Sequence, residues 1–174
     1  HHNLISMEHW HTFFPNREDF KRAKKSQLED ILSVLPWIAI VDKFQHWLYE
    51  NPSHTISERE QAWLTILNEF ESGEGADWTG YEKFRKCSWQ KQLHIFEVPF
   101  YYIEYGFAQL GAIAMWKQYK ENPATALEHY ETFMKLGYTK SIPEIYKAAG
   151  IEFSFSYEYV KDLADFVCSE IQKL

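Results

Sequence analysis

The chain has 174 residues, which is enough for one domain with its own hydrophobic core. Hydrophobic residues make up 45% of it and aromatic residues 18%, which excludes a disordered chain. The formal charge of −7, from 18 basic and 25 acidic side chains, does not suit phosphate binding, so we expect no nucleic-acid partner. With only 7 Gly and 6 Pro, the composition favours long helices over a many-turned β fold.

The first third of the chain has the apolar periodicity of helices. Residues 17–35 are predicted to be helical, with Asn16 as the N-cap. The same periodicity resumes at Trp37 and ends near Asn51-Pro52. The intervening Pro36 either kinks one long helix or separates two, and the sequence leaves both alternatives open.

The middle of the chain contains a start signal and a stop signal for a helix. Ser57-Glu58-Arg59-Glu60 is a capping-box pattern, which predicts a helix that begins after Ser57. Residues 71–75, Glu-Ser-Gly-Glu-Gly, are the clearest loop and end that helix. Residues 81–89 are predicted to form another helix.

The longest apolar stretch is residues 98–116, where only Glu104 and Gln109 are strongly polar. Its length raises the question of a membrane span. Glu104, near the middle, would be costly in lipid, and the other predicted helices are amphipathic, so we expect no membrane partner. We predict a buried helix that begins at Pro99. Its small residues should let neighbouring helices approach closely: Gly106, Ala108, Gly111, Ala112 and Ala114.

The last third of the chain has three helix starts with good caps. These are Asn122 with Pro123 at the first helical position, Ser141 in a capping box with Glu144, and Ser156. Gly137 and Gly150 are predicted to end the first two of these helices. No segment is predicted to be a strand, and we interpret residues 1–174 as a single all-α domain, in which His1-His2 is the remnant of a purification tag.

Three aromatic residues stand out around the start of the apolar helix. Tyr101 and Tyr105 are four residues apart and would share one face of a helix, and His94 lies just before it. From the pattern alone, core packing is favoured for the tyrosines, and a core or capping position for His94.

Several stretches of the chain resemble the oligoendopeptidase F-type zinc metallopeptidases, which are relatives of thimet oligopeptidase. The most informative is residues 94–106, HIFEVPFYYIEYG, which continues through Gln109-Leu110-Gly111-Ala112. Three other stretches match in the same order: LPWIAIVDKFQHW at 35–47, LGYTKSIPE at 136–144 and AAGIEF at 148–153. The resemblance runs from about Ser6 onward. It implies a multi-helix, C-terminal portion of the catalytic domain of a thimet-oligopeptidase-like enzyme.

The resemblance also implies an activity that this chain cannot perform alone. The family hydrolyses short peptides with one zinc ion, which is bound by a His-Glu-x-x-His motif and a downstream Glu. No His-Glu-x-x-His occurs among the 174 residues. In the family this motif precedes the stretch that matches residues 4–10. We therefore expect zinc in the full-length enzyme but none bound here, and we expect the missing N-terminal part of the same enzyme as a partner.

The family pattern assigns candidate site residues. His94, Tyr101 and Tyr105 match positions that face the reacting peptide bond, with Tyr102 as a rival to Tyr101 and, like His94, a candidate for substrate binding. A phenol keeps its proton at neutral pH and can donate to the negative charge that develops on the former carbonyl oxygen. His94 can bind the substrate backbone or the same oxygen.

Other polar residues have ordinary explanations. Cys87 and Cys168 fall in no metal or redox spacing and suit reduced thiols of a cytoplasmic protein. Glu8-His9-Trp10-His11 has no zinc-site spacing and suits a surface helix end. Asp42 and His46 suit a carboxylate–imidazole pair on one helix.

The alternative function is a self-contained helical binding or scaffold domain that derives from a peptidase and has lost catalysis. In that case the tyrosines would only pack. If the chain is instead a severed part of a larger enzyme, it should expose an apolar face where the missing part would lie, and it should tend to self-associate.

Overall fold

The computed structural model describes residues 2–71 and 76–174, apart from the side chains of residues 2 and 3. Within these ranges the chain is helical and contains no β-strand, so the all-α prediction is confirmed. The α-helices are α1 (His2–Ser6), α2 (Arg17–Glu50), α3 (Ile56–Phe70), α4 (Glu82–Lys86), α5 (His94–Glu97), α6 (Ile103–Glu121), α7 (Pro123–Leu136), α8 (Ile142–Ala148) and α9 (Tyr157–Gln172). Two 3₁₀ helices span Met7–Thr12 and Ser88–Lys91.

The described residues form two compact units. The central unit is Val34–Gly106, and the terminal unit is the chain up to Ser33 together with Phe107–Leu174. The interpretation of residues 1–174 as a single domain stays a prediction.

Pro36 lies inside α2, which is one continuous helix. Because proline has no N–H, the carbonyl of Leu32 lacks its usual helical donor at this point. At the start of α2, the Oδ1 atom of Asn16 accepts the backbone N–H of Glu18 at 2.8 Å, which confirms Asn16 as the cap.

The predicted start of α3 is wrong by two residues. Thr55, not Ser57, is the N-cap: its backbone N–H donates to the Glu58 carboxylate at 2.7 Å, and its hydroxyl accepts the N–H of Glu58 at 3.2 Å. The sequence contains two overlapping Ser/Thr-x-x-Glu patterns, and the second acceptor, Glu60, instead pairs with Lys86 at 2.6 Å. Most of the predicted loop at 71–75 lies outside the described residues.

The single helix predicted over residues 81–89 is also wrong. α4 ends at Lys86, and a separate 3₁₀ helix follows. The buried Trp63 gives the reason, because its indole N–H donates to the Arg85 carbonyl at 3.2 Å and to the Ser88 hydroxyl at 2.9 Å. The Ser88 hydroxyl donates to the same carbonyl at 2.7 Å, so that carbonyl is occupied by side chains instead of the next helical turn.

Aromatic rings form the core of the central unit. The buried ring of Phe44 lies 5.0 Å from that of Trp63, edge to face, and 5.5 Å from that of Trp89. Such ring pairs contribute roughly 1 kcal/mol each beyond the area they bury. Val41 and Ile66 complete the contact between α2 and α3. Trp37 and Tyr102 pack against this core.

In the terminal unit, small residues allow close packing as predicted. A Cβ atom on Gly111 would lie 2.8 Å from the hydroxyl oxygen of Tyr146, which is closer than real contacts allow. That hydroxyl donates to the Phe107 carbonyl at 2.9 Å. The predicted caps are confirmed at the starts of α7, α8 and α9: Asn122, Ser141 and Ser156.

Glu8 belongs to a partly buried charge network in the terminal unit, whereas His9 and His11 are exposed, so the interpretation as a surface helix end holds for the histidines and not for Glu8. Its carboxylate accepts from Lys24 at 3.0 Å and from the Trp116 indole at 3.1 Å. Lys120 lies 3.4 Å from Glu8 and 3.0 Å from the buried Glu170. Burial alone raises the pKa of Glu8, but the hydrogen bond and charge of Lys24 and its other partners outweigh burial, so the pKa lies below its ordinary value.

The apolar helix α6 does not reach the composition of a membrane span. Over the described part of the chain, no helix is both long enough and apolar enough to cross a bilayer.

Candidate functional site

The segment that precedes α6 is not the continuous helix predicted from Pro99. α5 is short, and the backbone N–H of Tyr101 then donates to the Val98 carbonyl at 3.2 Å, which closes a turn. Pro99 and Phe100 occupy its two central positions, and Phe100 has a φ of +59°. Proline followed by a positive φ is typical of a type II turn, so the proline opens a turn here and not a helix. Tyr101 and Tyr102 therefore precede α6, and Tyr105 lies within it.

The structure brings the four predicted site residues together within the central unit. The Nε2 atom of His94 lies 3.2 Å from the hydroxyl oxygen of Tyr105. The ring centroid of Tyr105 is 5.6 Å from that of Tyr101 and 5.2 Å from that of Tyr102. The ring centroids of His94 and Tyr102 are 4.9 Å apart. We call these four residues the His94–tyrosine cluster. Tyr105 is its centre, because it contacts each of the other three.

The cluster is accessible from outside the chain. Tyr101 is 48% exposed and Tyr105 is 44% exposed, so the core-packing interpretation does not hold for these two tyrosines. Tyr102 and His94 are half-buried. Two phenols can therefore meet a bound molecule, while the other two side chains support them.

Two residues that the sequence did not single out connect His94 to α2. The Nε2 atom of Gln92 lies 2.7 Å from the Nδ1 atom of His94. The Oε1 atom of Gln92 accepts the indole N–H of Trp37 at 3.2 Å. Trp37 and Gln92 are 55 positions apart, so no local pattern could have paired them.

A second connection holds the turn at Phe100. The buried Gln45 accepts the backbone N–H of Phe100 through its Oε1 atom at 3.1 Å. The Phe100 ring packs against those of His46 and Tyr49, each at 4.9 Å. A phenylalanine at positive φ carries a strain on the order of 1–2 kcal/mol, which these α2 contacts must offset. The Nε2 atom of Gln45 is buried and has no hydrogen-bond partner among the described residues, which adds a second local cost.

The cluster does not have the composition of a zinc site. Across the described ranges, no group of three His, Cys, Asp or Glu side chains is placed to hold a metal ion. The cluster itself offers one imidazole and three phenols, whereas a peptidase zinc site needs two imidazoles and a carboxylate. The described residues of this chain do not by themselves fit the metal.

A separate hollow of about 530 Å³ lies between α2 and α3. Trp47, Ala62 and Ile66 line it together with Lys43 and several glutamates, and it contains none of the predicted site residues. His46 lies on its wall at 3.5 Å from Asp42, which confirms the expected carboxylate–imidazole pair. Burial raises the pKa of Asp42 more than the nearby His46 lowers it.

Three solved structures of peptidases resemble this chain. One is an X-ray structure of an oligoendopeptidase F, with 31% identity and a TM-score of 0.77 over 90% of this chain. PZ peptidase A with an inhibitor has 32% identity and a TM-score of 0.77 over 91%. An oligoendopeptidase F from Bacillus anthracis strain Ames has 28% identity and a TM-score of 0.67 over 91%.

A profile of Peptidase family M3 matches residues 2–165, and the chain belongs to this family. The predicted resemblance is thereby confirmed. Members of the family are in general zinc metallopeptidases. The chain spans 28%, 28% and 25% of the three solved structures, so it corresponds to about a quarter of each. No curated protein matches it in sequence.

Proposed function

We propose that this chain is the C-terminal, substrate-binding part of a zinc metalloendopeptidase that hydrolyses short peptides. The observation that carries this proposal is the accessible His94–Tyr105 pair, 3.2 Å apart, in a chain of Peptidase family M3. We use the name parent peptidase for the complete enzyme to which we assign the chain. Zinc, its ligands and the general base belong to the rest of that enzyme, which is the chain's partner and resides in the cytoplasm.

Tyr105 is the residue that we assign to stabilising the reaction. Hydrolysis of a peptide bond develops negative charge on the former carbonyl oxygen, and a fixed phenol can donate a hydrogen bond to it. Removal of one such donor typically lowers the rate by a hundredfold or more. Tyr101, which is nearly half exposed, is placed to contact the peptide beside Tyr105. Tyr102 packs against His94 and supports the site, or replaces Tyr101 as the substrate contact.

Kinetics of the parent peptidase test this assignment. Tyr105→Phe should lower kcat for a quenched fluorescent peptide by about a hundredfold while KM changes by less than about threefold. Tyr138→Phe is a matched control, because Tyr138 is fully exposed in the terminal unit. An unchanged kcat for Tyr105→Phe would remove Tyr105 from the reaction.

The chain alone provides a second test. Incubated with zinc and the same peptide, it should give no turnover, because the metal ligands and the general base are on other segments of the parent peptidase. Turnover at enzyme-like rates that a chelator abolishes would contradict the assignment of the metal to the rest of the enzyme.

Exposed apolar side chains near the cluster support the assignment of the chain to part of a larger enzyme. Leu93 is 57% exposed and Phe96 is 56% exposed, and both lie beside His94 in the chain. Such a face supports docking against the rest of an enzyme or self-association. Light scattering of the chain at increasing concentration tests self-association: a dimer that Leu93→Ser with Phe96→Ser returns to a monomer supports it, and a monomer throughout contradicts it.

A further inference from the structure

A chain of three hydrogen bonds leads from α2 to the Tyr105 hydroxyl. It runs from the Trp37 indole to Gln92 at 3.2 Å, from Gln92 to His94 at 2.7 Å, and from His94 to Tyr105 at 3.2 Å. All four residues lie in the central unit, and the first three are half-buried.

The direction of these bonds follows from the first one. An indole nitrogen can only donate, so the amide atom of Gln92 that faces Trp37 must be its carbonyl oxygen. The amide NH₂ group of Gln92 then faces His94, and its hydrogen is donated to Nδ1. A neutral imidazole that accepts at Nδ1 carries its proton on Nε2. His94 therefore donates to the oxygen of Tyr105.

This order decides what Tyr105 can do. When its oxygen accepts from His94, its own hydrogen is free to be donated elsewhere. With the proton of His94 on Nδ1, the Nε2 atom would be an acceptor and would capture the Tyr105 hydrogen. Only the first arrangement leaves Tyr105 as a donor to a bound molecule.

We propose that Trp37 and Gln92 are positioning residues that hold neutral His94 with its proton on Nε2 and so reserve the Tyr105 hydrogen for the carbonyl oxygen of the peptide. The part that concerns the peptide rests on the proposed function, whereas the order of the hydrogen bonds does not.

A second histidine, His129, provides an internal control for the tautomer of His94. In the terminal unit, the amide of Gln118 donates from Nε2 to the Gly150 carbonyl at 3.1 Å, and its Oε1 atom faces Nδ1 of His129 at 3.0 Å. Because the carbonyl of Gly150 can only accept, Gln118 accepts from His129, and neutral His129 carries its proton on Nδ1. The two histidines should therefore be opposite tautomers in one molecule.

Long-range ¹H–¹⁵N correlation spectra of the histidine-labelled chain read the tautomers directly, at a pH where the spectrum shows both rings neutral. We expect a protonated Nε2 for His94 and a protonated Nδ1 for His129. Gln92→Glu is the informative variant, since a carboxylate still accepts from Trp37 but can only accept from His94. It should move the His94 proton to Nδ1 and leave His129 unchanged. A protonated Nδ1 in unaltered His94, or no change in Gln92→Glu, would overturn the proposal.

Kinetics of the parent peptidase test the part that concerns the peptide. At the same pH, Gln92→Glu should lower kcat by at least about tenfold. The double variant with Tyr105→Phe should have the same kcat as Tyr105→Phe alone. An unchanged kcat in Gln92→Glu, while Tyr105→Phe still loses activity, would overturn the positioning role and leave the proposed function standing. If Tyr105→Phe itself retains full kcat, the proposed role of Tyr105 in the reaction fails, and the spectra alone decide the order of the hydrogen bonds.

Discussion

Replacement of Phe100 by glycine and by alanine tests the strained turn that precedes the cluster. Both variants remove the ring, so both lose its contacts with His46 and Tyr49, and this loss cancels when the two are compared. The variants then differ in how they tolerate a φ of +59°. The left-handed backbone conformation costs alanine roughly 1–2 kcal/mol of stability and costs glycine almost nothing.

The expected difference is smaller than that penalty. Glycine also makes the unfolded chain more flexible, which lowers stability by roughly 0.4–1 kcal/mol relative to alanine. We therefore expect Phe100→Gly to be more stable than Phe100→Ala by about 1 kcal/mol. The sign is unusual, because at ordinary helical positions alanine is the more stable of the two.

Urea denaturation followed by tryptophan fluorescence measures this difference. Leu127 is the matched control, since it is similarly exposed but lies within α7, where Leu127→Ala should be more stable than Leu127→Gly by about 1 kcal/mol. If Phe100→Ala were more stable than Phe100→Gly by roughly 0.4–1 kcal/mol, which is the difference expected from the unfolded chain alone, the turn would carry no strain. The reasoning about Gln45 and the α2 contacts would then fail.

Three further predictions concern the terminal unit. Glu8→Gln should lower the free energy of unfolding at pH 7 by roughly 3 kcal/mol, because it leaves the buried Lys24 without a full charge partner. Because the pKa of Glu8 is lowered in the folded chain, this carboxylate stabilises the fold at pH values above its ordinary pKa of 4.5. Urea denaturation at a series of pH values should show that this contribution disappears as the pH falls below 4.5 and is absent in Glu8→Gln. Burial, and then the charge of Glu152, raises the pKa of Tyr159 to about 12. Neutral Tyr159 therefore stabilises the fold below pH 10, and this stabilisation is lost as the pH rises towards 12. Absorbance titration at 295 nm should show a tyrosine that ionises late and that Tyr159→Phe removes. Gly111→Ala should lower the melting temperature although α6 is a helix, because the added Cβ would lie 2.8 Å from the Tyr146 hydroxyl.

Local signals in the sequence predicted most of the helices. Asn122, Ser141 and Ser156 cap helices through contacts within three residues, so the sequence contains the whole interaction. Thr55 shows the limit of such signals, since two overlapping capping patterns compete, and the pair between Glu60 and Lys86 lies outside both.

The site was predicted by resemblance and not by local pattern. The resemblance selected His94, Tyr101, Tyr102 and Tyr105, whereas periodicity placed both Tyr101 and Tyr105 in one helix and favoured burial. A proline can begin a helix or a turn, so Pro99 does not distinguish the two. The positive φ of Phe100 could not be predicted from its residue type, because that conformation normally requires glycine or asparagine.

The supporting contacts could not be predicted at all. Trp37 with Gln92, and Gln45 with Phe100, are each separated by 55 positions and meet only when α2 packs against the segment before α6. Pro36 is a similar case, because tertiary packing decides whether a helix continues through a proline.

The affinity of the parent peptidase for a phosphinic peptide tests the central claim most directly. Such a molecule is an uncleavable peptide whose tetrahedral, negatively charged centre imitates the transition state and not the substrate. If Tyr105 donates to the developing negative charge, Tyr105→Phe should raise the inhibition constant by about the factor by which it lowers kcat, on the order of a hundredfold, while KM stays nearly constant. An inhibition constant that does not change in Tyr105→Phe would contradict the assignment of the His94–tyrosine cluster to the peptide-binding site.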